Sequence, residues 1–165
     1  FRLARPKAMV RAIGPRRPSV QGQPMDIRQI TPDYAVSPQI TPADLVAIKA
    51  AGFATVIDNR PDAEIAGDLH EPVMRAAAKA LGLTFVANPI IGGALTMANV
   101  AAQRAAMDAA TGPVFAYCAS GNRSSIVWAL AEARNRPVDD LVGLPARFGY
   151  QLDHLRPQIE ALARG

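Results

Sequence analysis

The sequence predicts an α/β fold: a single domain with a mostly parallel central sheet and helices on both faces. Three observations carry this. From Met25 onward, short apolar runs rich in β-branched residues alternate with segments of helical period. The 165 residues, half of them apolar, suffice for one core and not comfortably for two. Turn signals at Gly52, Gly82 and Gly112-Pro113 separate the runs.

Residues 27–30 and 34–36 read as two short strands around the turn Thr31-Pro32-Asp33, forming an edge hairpin. Thr41 reads as an N-cap, with Pro42 at the first helical position and Asp44 three residues on, so a helix is expected from there to Gly52. Residues 53–57 (FATVI) are too short a run for a helix and are expected as a buried strand leading to Asp58-Asn59-Arg60-Pro61. A polar loop follows. The helix expected over 71–81 places Val73, Met74, Ala77 and Leu81 on one side, and Gly82 stops it. Residues 83–87 make the next strand and 88–95 a Gly-rich loop. A helix over 96–110 sets Met97, Val100 and Met107 on a shared face. The last strand is 113–117 (PVFAY), and the helix after it begins near Arg123, with Ile126, Val127, Leu130 and Ala131 inward and Trp128 in the core. Helices over 138–148 and 151–163 complete the chain, and no internal repeat is visible.

Residues 1–24 differ in kind. They hold six of the 18 Lys and Arg and no acid, which leaves 12 basic against 14 acidic residues from Met25 on. The net charge of +4 therefore belongs to this segment, and the expectation is no nucleic-acid partner. Three readings of the segment stand: a disordered basic tail, a transit-type leader, or residues upstream of a start at Met25. Pro6, Gly14, Pro15 and Pro18 oppose the amphipathic helix a leader needs, which favours the first or third. The domain is then expected over 25–165.

A single cysteine forms no internal disulfide, which fits a reducing, cytoplasmic setting. One Cys with only His70 and His154 gives no metal-ligand spacing, so no metal is expected, and both histidines read as structural or surface residues. No apolar run approaches the roughly 18 residues of a membrane helix, so no membrane association is expected.

The chemistry concentrates after the last strand, in residues 117–125 (YCASGNRSS). In an open parallel sheet, ligands bind at the carboxyl ends of strands, where helix N-termini point, and Cys118 stands at such an end. Ala119, Ser120, Gly121, Asn122 and Arg123 are small or polar, so the backbone can curl and aim several N–H groups at one centre, an anion-binding nest. The nest, the helix N-terminus and the Arg123 guanidinium favour a thiolate on Cys118, which is the form that attacks. Arg123 can also hold two oxygens of a tetrahedral anion in its planar fork. Ser124 or Ser125 is expected to steady the sulfur as a leaving group. A lone cysteine ending an apolar strand is commonly inert; strand, Cys, small-polar loop, Arg, Ser and helix in sequence point instead to a nucleophile that takes a small anionic substrate.

With those residues in view, the sequence resembles the phosphatase-like domain of the beta-lactamase hydrolase-like proteins. The resemblance covers 25–165 and rests on 30–39 (ITPDYAVSPQ), 58–62 (DNRPD), 88–90 (NPI) and the loop 117–125. It implies a tyrosine/dual-specificity-phosphatase-like fold. Members occur alone or fused to sulfide-oxidising enzymes, and some are described as sulfurtransferases, which implies a sulfide-oxidising enzyme as partner. Tyrosine phosphatases have Cys-x5-Arg, whereas Cys118 to Arg123 is Cys-x4-Arg, the spacing of rhodanese sulfurtransferases. Asp58-Asn59-Arg60 resembles the Asp-x-Arg of rhodanese domains and reads equally as a solvated turn. Dual-specificity phosphatases carry their general acid in the loop matching 88–95, which here has no carboxylate; Asp62, Glu64 and Asp68 are the nearest substitutes, and as surface acids they read also as simply solvated. Tyr117 replaces the phosphatase His, and Ala119 a second Arg of rhodanese loops.

Three functions follow. The first is sulfur transfer from thiosulfate or a persulfide through a Cys118 persulfide. The second is a cysteine-dependent phosphatase acting on a phosphate ester through phosphocysteine. The third is a non-catalytic anion-binding module. None requires a cofactor.

Overall fold

The computed structural model describes residues 25–165; the basic segment 1–24 lies outside the described residues. Strands β1 (Arg28–Thr31) and β2 (Tyr34–Ser37) form the antiparallel edge hairpin, with an irregular register between Gln29 and Thr31. Three further strands, β3 (Thr55–Asp58), β4 (Thr84–Ala87) and β5 (Val114–Tyr117), complete a five-stranded sheet in the order β1-β2-β5-β3-β4. Every pairing except β1–β2 is parallel. The last strand in sequence is thus the central one. Its neighbours align Ser37, Tyr117, Asp58 and Ala87 in one row along the carboxyl edge.

Helices α1 (Asp44–Ala50) and α2 (Glu71–Ala80) cover one face. There Leu45, Ile48, Met74 and Ala78 pack on Ala35, Val56, Phe115 and Tyr117. Helices α3 (Met97–Ala109), α4 (Asn122–Ala131), α5 (Val138–Ala146) and α6 (Arg156–Arg164) cover the other, where Val100, Val127, Trp128, Leu141 and Ile159 meet Val36, Ile57 and Ala116. Adjacent strand residues such as Ala35 and Val36 enter opposite cores, as a two-residue side-chain period requires. With both faces covered, β2, β3 and β5 are buried along their whole length. Among the described residues no helix is long and apolar enough to cross a membrane.

The departures from expectation are local. Helix α1 starts at Asp44 because the first turn closes through i→i+3 bonds, from the N–H of Asp44, Leu45 and Val46 to the carbonyls of Thr41, Pro42 and Ala43 (3.0, 3.2 and 3.3 Å), while the Asp44 carboxylate accepts from the Thr41 N–H (2.8 Å) and hydroxyl (3.1 Å). Met97, expected on a shared face with Val100 and Met107, is 53% exposed, and Thr96 caps α3 through a reciprocal bond with Asn99. The final helix begins at Arg156, after a 3₁₀ turn at Asp153–Leu155.

Candidate functional site

Cys118 follows β5 directly at the carboxyl edge, fully buried, while Ala119, Ser120 and Asn122 above it are exposed. The loop carbonyls are held from outside. Gln39 N–H donates to Ala119 O (3.3 Å), the Tyr150 hydroxyl to Ser120 O (2.7 Å), and Ser125 N–H and hydroxyl to Gly121 O (3.0 and 2.8 Å). Peptide planes are trans in the described residues, so each N–H points away from the preceding carbonyl. The Ser120–Gly121 peptide therefore turns its N–H toward the sulfur as its carbonyl faces Tyr150. Gly121 N–H lies 3.1 Å from Cys118 Sγ, and Asn122 N–H meets Ser120 Oγ at 3.3 Å. Gly121 has φ +92°, and a Cβ there would fall 2.1 Å from the Tyr150 oxygen, so only glycine fits.

Arg123 stands on the first turn of α4. Its Nη1 donates to Ile90 O and Glu64 Oε2 (both 2.7 Å), and its Nη2 donates to Glu64 Oε1 (2.8 Å). These three bonds leave the Nε–H and the second Nη2–H, a parallel pair, to take two oxygens of an anion. Glu64 also accepts from Arg60 Nε at 3.3 Å. The Arg123 hydrogen bonds, and then Arg60, hold the Glu64 carboxyl below its ordinary range, so it is a charged brace with no proton to give.

The other expected residues separate. The Ser124 hydroxyl donates to Asn59 Oδ1 (2.9 Å) and that of Ser125 to Gly121 O, so neither is directed at the sulfur. Asp58 is buried and accepts the Arg60 N–H at 2.9 Å. Burial raises its carboxyl to about 6; the Arg60 N–H and the Tyr117 hydroxyl oppose that, and nearby Asp62 and Glu71 add to it. Asp62 accepts the Glu71 N–H (2.9 Å) at the start of α2, and Asp68 is exposed on a 3₁₀ turn. Asp58, Arg60 and Asp62 line a cavity of about 430 Å³ with Glu71, Pro89 and Ile91. Tyr117 packs into the α1/α2 core. His70 bonds the Ile65 carbonyl and His154 is exposed. No group of three His, Cys, Asp or Glu among the described residues could hold a metal.

Sequence reasoning missed the polar ring behind the loop. Gln103 Oε1 accepts from the side-chain amides of Asn59 and Asn88 (both 2.9 Å), and its Nε2 donates to the Tyr34 hydroxyl (2.9 Å). Tyr34 in turn donates to Ser124 O (2.8 Å), and Ser124 closes the ring on Asn59. Gln103, Asn59 and Ser124 are fully buried. One signal was available: Gln103 is a polar residue on the inward stripe of α3 between Val100 and Ala106. Tyr150, in a loop after α5, gave none.

Residues 26–135 match the family model described as the phosphatase-like domain of beta-lactamase hydrolase-like protein. A beta-lactamase hydrolase-like protein of Xylella fastidiosa is 31% identical over 130 residues, which is 78% of this chain and 30% of the relative. The chain spans less than a third of the length of the curated relatives it matches. A candidate phosphatase from Neisseria meningitidis superposes with a TM-score of 0.72 at 28% identity, covering 84% of this chain and 99% of the other. TpbA of P. aeruginosa, in complex with phosphotyrosine, shares the fold at a TM-score of 0.61 and 14% identity, over 85% of this chain and 89% of its own.

Proposed function

The chain belongs to the phosphatase-like domain family of the beta-lactamase hydrolase-like proteins, and from that membership we propose that it is a cysteine-dependent phosphoric ester hydrolase. The observation that supports this best is the Gly121 N–H 3.1 Å from Cys118 Sγ in a loop that leads straight into the helix carrying Arg123, whose guanidinium is held by Glu64. Cys118 attacks phosphorus, the ester oxygen leaves, and phosphocysteine forms while the amides and Arg123 hold the non-bridging oxygens. Water then attacks the phosphorus, releasing phosphate and restoring the thiolate.

A leaving alkoxide needs a proton, and a positioned donor is worth roughly two to four orders of magnitude. Glu64 is ionised against Arg123, Asp62 is spent on α2, and the loop 88–95 has no carboxylate. Substrates that leave without strong assistance, aryl phosphates above all, suit such a site. The phosphotyrosine complex of TpbA supports the same class. Sulfur transfer, the first expectation from the four-residue spacer, ranks second, since the family model and the Neisseria structure both carry phosphatase descriptions. The sulfide-oxidising partner belongs to that second reading and stands or falls with it.

The test is Cys118-dependent phosphate release from an aryl phosphate, with rapid acid quench to trap phosphocysteine, beside a thiosulfate incubation read by mass spectrometry. Hydrolysis lost in Cys118→Ser supports the proposal. A gain of one sulfur on Cys118 without hydrolysis would assign sulfur transfer, and neither reaction would leave an anion-binding module.

A further inference from the structure

The Ser120–Gly121 peptide joins two hydrogen bonds that run the same way. Its carbonyl accepts the Tyr150 hydroxyl at 2.7 Å, and its N–H donates to Cys118 Sγ at 3.1 Å. Behind Tyr150 stands Arg28 of β1, whose Nη1 donates to the tyrosine oxygen at 2.6 Å. The Arg28 guanidinium also lies 5.3 Å from the tyrosine ring centroid and pairs with Asp26. Donor and acceptor alternate without a break from a cation to the sulfur.

We propose that Tyr150 is a positioning residue of the loop, and that the chain from Arg28 through Tyr150 and the Ser120–Gly121 peptide stabilises the Cys118 thiolate. The inference rests on the hydrolase reading only in taking Cys118 as the nucleophile. The physical ground is cooperativity. A hydroxyl that accepts a bond from a cation donates more strongly, and a carbonyl so polarised makes its own N–H a stronger donor. The carbonyl anchor also fixes the peptide plane, which is what aims the Gly121 N–H at the sulfur. Tyr150 is 6% exposed, and its burial pushes the phenol above its ordinary range, so it keeps its proton at neutral pH. Gly121 is the reciprocal half of the contact, since a side chain at that position would occupy the space of the tyrosine oxygen. Tyr150 lies beyond residues 26–135, so the match to the family model does not include it.

Other titratable groups stand near the sulfur, Arg123 from α4 with Glu64 behind it and Tyr34 from β2, and Asp58 ends the neighbouring β3. A variant that changes only the Tyr150 chain separates its effect from theirs. The experiment is alkylation of Cys118 by iodoacetamide, followed by mass spectrometry across pH, in the wild type, Tyr150→Phe, Arg28→Gln and the double variant. In Tyr150→Phe the rate at pH 6.5 should fall about threefold to tenfold, and the rates should converge at high pH, where every variant carries the thiolate. Arg28→Gln should fall less, and the double variant should match Tyr150→Phe, because Arg28 acts only through the tyrosine.

An unchanged rate at pH 6.5, a slowing equal at all pH, or additive losses would each overturn the proposal. Arg28→Gln leaves every loop contact in place and decides alone if Tyr150→Phe does not fold. Alkylation asks nothing of a phosphate ester, so the hydrolase reading can fail while this inference holds, and the reverse.

Discussion

Glu64 grips Arg123 through both carboxylate oxygens, at 2.7 and 2.8 Å, and turns the opposite edge of the guanidinium toward the loop. This contact gives the first prediction. Glu64→Gln keeps one acceptor but sets an amide N–H against an arginine donor, so the guanidinium loses its fixed plane. We expect kcat/KM for an aryl phosphate to fall about tenfold. The side chains are 16% and 33% exposed, so the change in stability should stay within roughly 1 kcal/mol. Unaltered kcat/KM would reduce Glu64 to a surface ion partner.

Asp58 supplies a pH-dependent prediction. The residue is 2% exposed, and burial pushes its carboxyl up to about 6 from an ordinary value of 3.8. Between those values the native state binds more protons than the unfolded chain, so this group makes stability fall as pH rises, with the full penalty present above 6. Asp58→Asn keeps an acceptor for the Arg60 N–H and cannot ionise. It should stabilise the protein by roughly 2–3 kcal/mol at pH 7.5 and by little at pH 4. Urea midpoints at the two pH values measure the difference, and an equal change at both would refute it.

Gln103→Leu tests the buried ring. The substitution is similar in volume but removes the acceptor shared by Asn59 and Asn88 and the donor to Tyr34. The Asn59 and Asn88 side-chain N–H groups still donate to Asn88 O and Asn99 O, and the Tyr34 hydroxyl still donates to Ser124 O. A loss of about 2–4 kcal/mol is expected in chemical unfolding. A loss below about 0.5 kcal/mol would show that these groups find water instead.

The loop from Cys118 to Arg123 was legible in the sequence because its parts are consecutive. Strand end, small residues and helix start follow one another in the chain, so the loop is visible without any distant residue. Its braces were not legible, because Gln39, Glu64, Ile90 and Tyr150 reach it only once the sheet has closed. Glu64 illustrates the difference. As an isolated surface acid it reads as a possible proton donor, and only its two arginine partners exclude that role. Element bounds slipped where a helix opens on a tighter turn, as α1 does through the i→i+3 bonds from Thr41 to Val46. Ser124 followed the same logic: its type suggested a bond to the sulfur, but a buried asparagine stood closer to hand.

The place of β5 also sets a timetable for folding. Tyr34 pairs with Val114, and so does Thr55, so neither the β1–β2 hairpin nor the β3–β4 pair has its inner neighbour until the chain has been made past residue 117. Until then β2 and β3 have unpaired backbone edges on the side that β5 fills, and bringing them together requires closure of long loops, which slows folding. Cys118 follows the same late strand, so it reaches its place beside Ser37 and Asp58 only when β2 and β3 gain their shared neighbour.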